Sequence, residues 1–449
     1  MSPTKYGRIR LLVLAVLGAT YAAADPLPYA TNCTVVQVPA AFQYPPFDVV
    51  RFLCVPPGFG ISVVARVPGA RFLTLTPDGN LLVSQPWAGN ILLLQPVGDG
   101  TYWSSVFATG LYRPHDMVFH STGGQMYLYI AEANAIDRFP FNPGDQVAHD
   151  EQILISGLPS ASSPELQGTY AHELKNIVVD SADNIYVSIA SATNADPVDR
   201  FADPIRGSIY VYAPDGSAGR PFAIGLRNAE GVRFVPGTNL LWAAVNQRDN
   251  IGYPYDDGSG NYGLVLQWYV NDHPPDEFTF VRDGGDYGWP FANPNPDTST
   301  GLDNMPFDAD VQTNPSGIYY DPGSFDHINK GIPAHSAPLG LTFLQNTTFP
   351  ANFTTGVLIA LHGSWNRDPP TGYKVVYFPW NTDTQTPGFQ QDFVAGWLDD
   401  NTGTAWGRPV ATAVDFAGNV LISDDASGTI YQVTYYGSPS ASVQKAARR

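Results

Sequence analysis

Arg71-Phe-Leu-Thr-Leu-Thr-Pro-Asp-Gly-Asn-Leu-Leu-Val-Ser84 sets out a cationic residue, an apolar run, a Gly-Asn turn and a second apolar run, and Arg408-Pro-Val-Ala-Thr-Ala-Val-Asp-Phe-Ala-Gly-Asn-Val-Leu-Ile-Ser423 repeats that order far along the chain. A Gly-Asn pair between two strand-like runs marks a tight hairpin. Looser copies open at His115 (His-Asp-Met-Val-Phe), His172 (His-Glu-Leu-Lys-Asn-Ile-Val-Val), Arg227 (Arg-Asn-Ala-Glu-Gly-Val-Arg-Phe) and His335 (His-Ser-Ala-Pro-Leu-Gly-Leu-Thr-Phe). A four-stranded propeller blade takes about 40 to 50 residues, so the longer intervals hold insertions, the largest from Gln247 to Asp326. One unit alone leaves a sheet face bare, whereas six stacked radially cover one another and protect their edges. The reading is an all-β chain folded as a six-bladed β-propeller with long loop insertions over one face.

Composition agrees. The 449 residues include 43 Gly and 40 Pro with only 14% charged residues, which disfavours a helix bundle or coiled coil. Hydrophobic residues at 44% and aromatics at 13% suffice for a large core. Lys and Arg number 23 against 41 Asp and Glu, a net charge of -18 that repels nucleic acid and anionic lipid headgroups.

Lys5, Arg8 and Arg10, the apolar stretch Leu11 to Ala19 and the small residues Ala22-Ala23-Ala24 read as a signal peptide over 1–24. No later window approaches the roughly 20 apolar residues that would span a bilayer, so a secreted, extracellular protein without a membrane anchor is expected. Cys33 and Cys54 are the two cysteines, and a disulfide between them is expected to staple an N-terminal extension, 25–57. The propeller then runs over 58–436, and 437–449 reads as a disordered tail. Sequons at Asn32, Asn346 and Asn352 mark candidate surface loops.

In a propeller the residue that opens the innermost strand of each blade points toward the central axis. That register holds Arg71, His115, His172, Arg227, His335 and Arg408. Six such side chains around one funnel repel one another, so the register calls for an anion, and the forks of Arg71, Arg227 and Arg408 suit a planar polycarboxylate. The plainer reading, that an arginine at a strand start pairs with an aspartate on a neighbouring blade, stands beside it. Other signals fail: His172-Glu-Leu-Lys-Asn176 lacks the second His of a zinc protease motif, Gly258-Ser-Gly-Asn-Tyr-Gly263 has no strand before it or helix after it, and no Gly-x-Ser-x-Gly occurs.

Gly225-Leu-Arg-Asn-Ala-Glu-Gly231, Pro275-Asp-Glu-Phe-Thr-Phe-Val-Arg-Asp-Gly-Gly-Asp-Tyr-Gly-Trp-Pro290, His335-Ser-Ala-Pro-Leu-Gly-Leu-Thr-Phe343, Leu361-His-Gly-Ser-Trp-Asn-Arg367 and Trp406-Gly-Arg-Pro409 together resemble the sorbosone dehydrogenase and soluble glucose dehydrogenase superfamily, and most of all its fungal pyranose dehydrogenases. The resemblance spans residues 58 to 436 and implies an oxidoreductase that uses pyrroloquinoline quinone (PQQ) and calcium to oxidise a sugar at its anomeric carbon. It assigns His172 as the base, Arg227 and Asn228 as the pair that polarises the reacting carbonyl and holds the cofactor, and Asn246, His335, Arg367 and Arg408 as cofactor contacts. Trp406 stacks on the quinone or shapes the pocket wall in that picture. Arg71 and His115 are placed there by the repeat register. Calcium falls to the backbone carbonyls of Gln247 and Arg248. Asp249, Asp276 and Glu277 read as solvated loop carboxylates or supports for the ion, and Trp289 as an aromatic face for the sugar. The resemblance also implies a haem-bearing electron acceptor that feeds a copper polysaccharide oxygenase. Two rivals are a calcium-dependent lactonase, which usually binds its metal through Glu, Asn and Asp rather than this Arg and His register, and a non-catalytic carbohydrate- or protein-binding propeller.

Overall fold

The computed structural model describes residues 30–437; the leader over 1–24 and all but the first residue of the tail over 437–449 lie outside the described residues. Six sheets, each with a core of four antiparallel strands, form a six-bladed β-propeller. Their inner strands are Leu73–Leu75, Met117–Thr122, Ile177–Val179, Asn228–Phe234, Pro338–Phe343 and Pro409–Val414 in blades 1 to 6. Each inner strand touches those of the two neighbouring blades or their immediate flanks, so the ring closes on itself. The two Gly-Asn turns fold alike: Thr76 N–H donates to the Asn80 carbonyl at 2.9 Å and Asp415 N–H to the Asn419 carbonyl at 2.9 Å.

Inner strands crowd where blades converge. At Gly340 a Cβ would stand 2.7 Å from Ala411 Cα, and at Gly231 a Cβ would stand 2.4 Å from the Leu339 carbonyl oxygen. Both glycines lie in the quoted motifs, which therefore record blade packing as well as chemistry. The apolar faces meet between blades: Val64, Leu73, Leu81, Val410, Leu421 and Ile430 are buried together between blades 6 and 1. Each such side chain contributes about 1.5–3 kcal/mol by leaving water.

Blade 6 takes Pro409–Val414, Val420–Asp424 and Thr429–Tyr435 from the C-terminal side and its outer strand, Phe59–Arg66, from the N-terminal side. The extension before it is a two-stranded ribbon, Asn32–Val35 with Phe52–Val55, in which Cys33 faces Cys54 and the two form a disulfide. Cys54 exchanges backbone hydrogen bonds with Ala395, and Arg66 donates to the carbonyls of Phe42, Tyr44, Pro45 and Ser427, so the extension is laced onto blades 5 and 6. The sequon residues Asn32, Asn346 and Asn352 are exposed, although Asn32 opens a strand rather than sitting in a loop.

The insertion in blade 4 departs from a set of loops over one face. Gly285–Asp286 runs parallel to the outer strand of blade 3, Asp303–Met305 adds to the outer strand of blade 4, and Ala292–Pro294 pairs with Phe307–Ala309. It buttresses the outer edges of two blades. No helix among the described residues is long and apolar enough to cross a membrane.

Candidate active site

At the end of the propeller where the inner strands begin, blades 3, 4 and 5 line an open cavity of about 120 Å³. Strand polarity explains its lining. The start of an inner strand, the end of the second and the start of the third lie at one end of an antiparallel blade, so Asn228, Asn246 and Asp276 meet there from blade 4. His172 precedes the inner strand of blade 3, His335 precedes that of blade 5, and Gly363, Ser364 and Trp365 follow the second strand of blade 5.

His172 is half-buried, with Nδ1 3.0 Å from the Ser191 carbonyl and 2.9 Å from Ser191 Oγ. The Ser191 hydroxyl donates onward to the Thr193 carbonyl at 2.9 Å, so both Ser191 oxygens accept from His172 Nδ1–H and Nε2 keeps its lone pair. Burial, then the Arg227 charge, pushes the imidazole down to about 3 and holds it neutral. Arg227, 4% exposed, donates to the Asn194 carbonyl at 2.9 Å, Asn194 Oδ1 at 3.0 Å and the Gln247 carbonyl at 2.7 Å, with Asp249 3.6 Å away. Burial lowers its guanidinium to about 10.

His335 is the electrical opposite. Its Nε2 donates to the Val270 carbonyl at 2.8 Å, leaving Nδ1 facing the Asp249 carboxylate at 3.5 Å. Burial works against its charge, but Asp249 and Asp276 outweigh it and raise the imidazole above its ordinary value. Asn246 donates to the Pro338 carbonyl, and Asn228 Oδ1 is buried with no hydrogen-bond partner. Gln247 N–H donates to Asp276 Oδ1 at 2.9 Å, and the buried Arg248 side chain anchors the loop on Asp310 and Gln312.

The remaining register residues form an adjoining network. Arg71 of blade 1 pairs with Asp425 of blade 6 at 2.8 Å, and the same carboxylate takes His362 Nε2 at 2.8 Å. Arg408 donates to the carbonyls of His362 and Gly363, both at 2.9 Å. His115 is wholly enclosed, 2.9 Å from Glu230, and does not line the cavity. The ring of cations is thus matched by Asp425, Glu230 and Asp249, and the plainer reading of a cross-blade arginine–aspartate pair holds at Arg71. Much of the anion that the bare register called for is built into the protein.

Two predicted residues lie elsewhere. Arg367 reaches Asp272 at 3.2 Å, and Trp406 packs edge-on against Phe47 and donates to the Gly396 carbonyl, inside the contact with the N-terminal extension. Two expectations are corrected. Trp289 is 0% exposed with its indole N–H on the Asn194 carbonyl, so it supports the Arg227 cradle and cannot meet a sugar. Asp276 and Glu277 are 2% and 0% exposed and open the third strand of blade 4; they are not solvated loop carboxylates. Ser191, Asn194 and Asp425 escaped the sequence reading because nothing local marks them, and His362, though inside the quoted Leu361 to Arg367 motif, was not singled out. Trp365, 72% exposed at the cavity, was within reach, since it sits in the quoted Leu361 to Arg367 motif.

This donor set fits both groups that the sequence implies. Arg227, His335 with its imidazole raised by Asp249 and Asp276, and the amides of Asn228 and Asn246 line the cavity, with Arg408 in the network beside it, and together they suit a planar tricarboxylate. The Gln247 carbonyl, the orphaned Asn228 Oδ1 and the Asp249 carboxylate are hard oxygens of the kind calcium takes.

A family model described as TrAA12-like matches residues 53–436. A pyrroloquinoline quinone-dependent pyranose dehydrogenase of Coprinopsis cinerea is 25% identical over 427 residues, 85% of this chain and 54% of that protein. An uncharacterized protein of Borreliella burgdorferi is 28% identical over 214 residues, 47% of this chain and 48% of its own length. The chain spans about half the length of the curated relatives it matches. Among solved structures, the holo form of the pyranose dehydrogenase PQQ domain from Coprinopsis cinerea superposes with a TM-score of 0.69 at 21% identity, covering 85% of this chain and 97% of that one. The calcium structure of the Trichoderma reesei family AA12 enzyme gives 0.66 at 19% identity, with coverage of 85% and 97%. Both likenesses speak for the fold.

Proposed function

The chain belongs to the TrAA12-like family, and from that premise we propose that it is a secreted PQQ- and calcium-dependent dehydrogenase that oxidises the anomeric carbon of pyranose sugars. The observation that carries the reading is His172: an imidazole held neutral, its tautomer set by Ser191, its Nε2 free in a cavity beside an arginine–amide cradle. Bound in that cavity, the quinone supplies a two-electron acceptor for the anomeric hydrogen as hydride, and calcium supplies a Lewis acid.

The rest is work for the protein's own side chains. His172 Nε2 accepts the proton of the anomeric hydroxyl, so the sugar leaves as its lactone. Arg227, carried rigidly by Asn194 and the Gln247 carbonyl, presents fixed positive charge where negative charge develops, and Asn228 stands next to it. His335 and Arg408 give cationic purchase for carboxylates. Gln247 and Arg248 carbonyls offer calcium its oxygens, with Asp249 close by. Trp365 presents an apolar face to a pyranose ring at the cavity. The net acidity, the disulfide and the exposed sequons favour an extracellular protein, and we place its electron acceptor among haem proteins that serve a copper polysaccharide oxygenase. Adding PQQ and calcium to the purified apoprotein with a panel of sugars and a redox dye tests the proposal. Dye reduction is expected; none, together with no quinone binding by calorimetry, overturns it.

A further inference from the structure

Three carboxylates converge in the cleft between blades 1 and 2, on side chains with no part in the chemistry above. Glu132 follows the second strand of blade 2 (Gln125–Ala131), Asp137 lies within the third (Ala135–Pro140), and Glu151 precedes the fourth (Gln152–Ser156). One ligand oxygen from each lies within 4.8 Å of the other two. Mutual repulsion makes such a meeting unfavourable unless a proton or a cation is shared among the oxygens.

A second observation comes from Asp137. Its side chain is 0% exposed, and neither Oδ1 nor Oδ2 has a hydrogen-bond partner. A buried carboxylate with both oxygens orphaned is among the costliest arrangements a fold can keep. Burial first, then the close approach of the Glu132 carboxyl, then the Glu132 and Glu151 charges push the Asp137 carboxyl up to about 9. Glu132 is itself buried and takes the Tyr112 N–H, while Glu151 is exposed beside a second, open cavity of about 460 Å³ lined by Phe107, Thr109, Phe139 and His149. The site therefore has a closed floor and an open mouth.

We propose that Glu132, Asp137 and Glu151 bind a calcium ion that ties the outer strands of blade 2 together against blade 1. All three donors are carboxylate oxygens, which excludes the imidazole and thiolate chemistry of zinc or copper sites. Calcium accepts such hard oxygens in irregular geometry and with water completing the shell, whereas magnesium demands a near-ideal octahedron that three carboxylates fixed by the fold do not supply. The ion gives both Asp137 oxygens a partner and neutralises the cluster.

The test uses the full chain, stripped with EDTA and free of quinone. Calcium chloride is titrated by calorimetry, bound calcium is counted by mass spectrometry, and thermal unfolding is followed with and without 1 mM calcium. Wild type is expected to bind one calcium more per chain than Glu151→Gln or Asp137→Asn, and its Tm to rise by about 3 °C or more with calcium while the variants respond less. Glu151→Gln changes an exposed residue and preserves the fold, so its result stands even if Asp137→Asn misfolds. Equal calcium counts in wild type and Glu151→Gln, or a wild-type Tm indifferent to calcium, overturns the proposal. Sugar oxidation plays no part in these readouts, so the dehydrogenase reading stands or fails separately.

Discussion

His172 and His335 are one side-chain type in two electrical settings. The first is committed at Nδ1 to Ser191 and sits under the Arg227 charge; the second is committed at Nε2 to Val270 and faces Asp249. Environments that push like groups apart assign roles of base and cation. His172→Ala is expected to keep quinone affinity and to lose turnover by a factor of about 100 to 10,000, measured by calorimetry and dye reduction. A base must be unprotonated, so activity falls as pH drops through its pKa; because that pKa is lowered, the acid limb of kcat/KM lies below pH 6.5, and Arg227→Ala moves it upward. Lys175 offers a check on stability. It is 0% exposed, donates to the Glu173 carbonyl, and burial pushes its amine down to about 7. The unfolded lysine, near 10.4, binds the proton across the window from about 7 to 10, so this residue's contribution rises with pH and is lost as pH falls toward 7. Urea midpoints at pH 7 and 9.5 should therefore rise more in wild type than in Lys175→Met.

Among the elements, the insertion and the N-terminal ribbon show where local pattern stops. The ribbon's disulfide closes a short loop, and Cys54→Ser is expected to cost about 2–4 kcal/mol in urea unfolding while leaving kcat of the reconstituted enzyme unchanged, since no ribbon residue lines the cavity. The insertion is secured at Arg248, whose partner Asp310 is 1% exposed. Arg248→Ala strands a buried carboxylate and should cost about 3–5 kcal/mol by the same measurement. The blade hairpins were legible because their Gly-Asn turns and paired apolar runs are short-range facts. The edge strands within the insertion were not, because Gly285–Asp286 is a strand only by virtue of the blade 3 edge it lies against.

Across the whole molecule, stability depends on joining the two ends of the ring. Phe59–Arg66 completes blade 6, and Ile61 in it is 2% exposed between blades 5 and 6. Ile61→Ala is expected to cost about 2–5 kcal/mol, with tryptophan fluorescence and far-UV circular dichroism losing signal together because an opened ring exposes a neighbouring blade. Repetition along the chain was enough to read the blade count and to bring His172, Arg227 and His335 to one end, because strand polarity carries every inner-strand start to the same face, while Asn228 and Asn246 were added by the family resemblance. Partnership was beyond that reading. Arg71 meets Asp425 across 354 positions, His115 meets Glu230 across 115, Trp289 is sealed while Trp365 is open, and Asp276 is buried rather than solvated. Charge interaction and desolvation depend on distance through space and on access to water, and neither quantity exists for a residue until distant blades have packed around it.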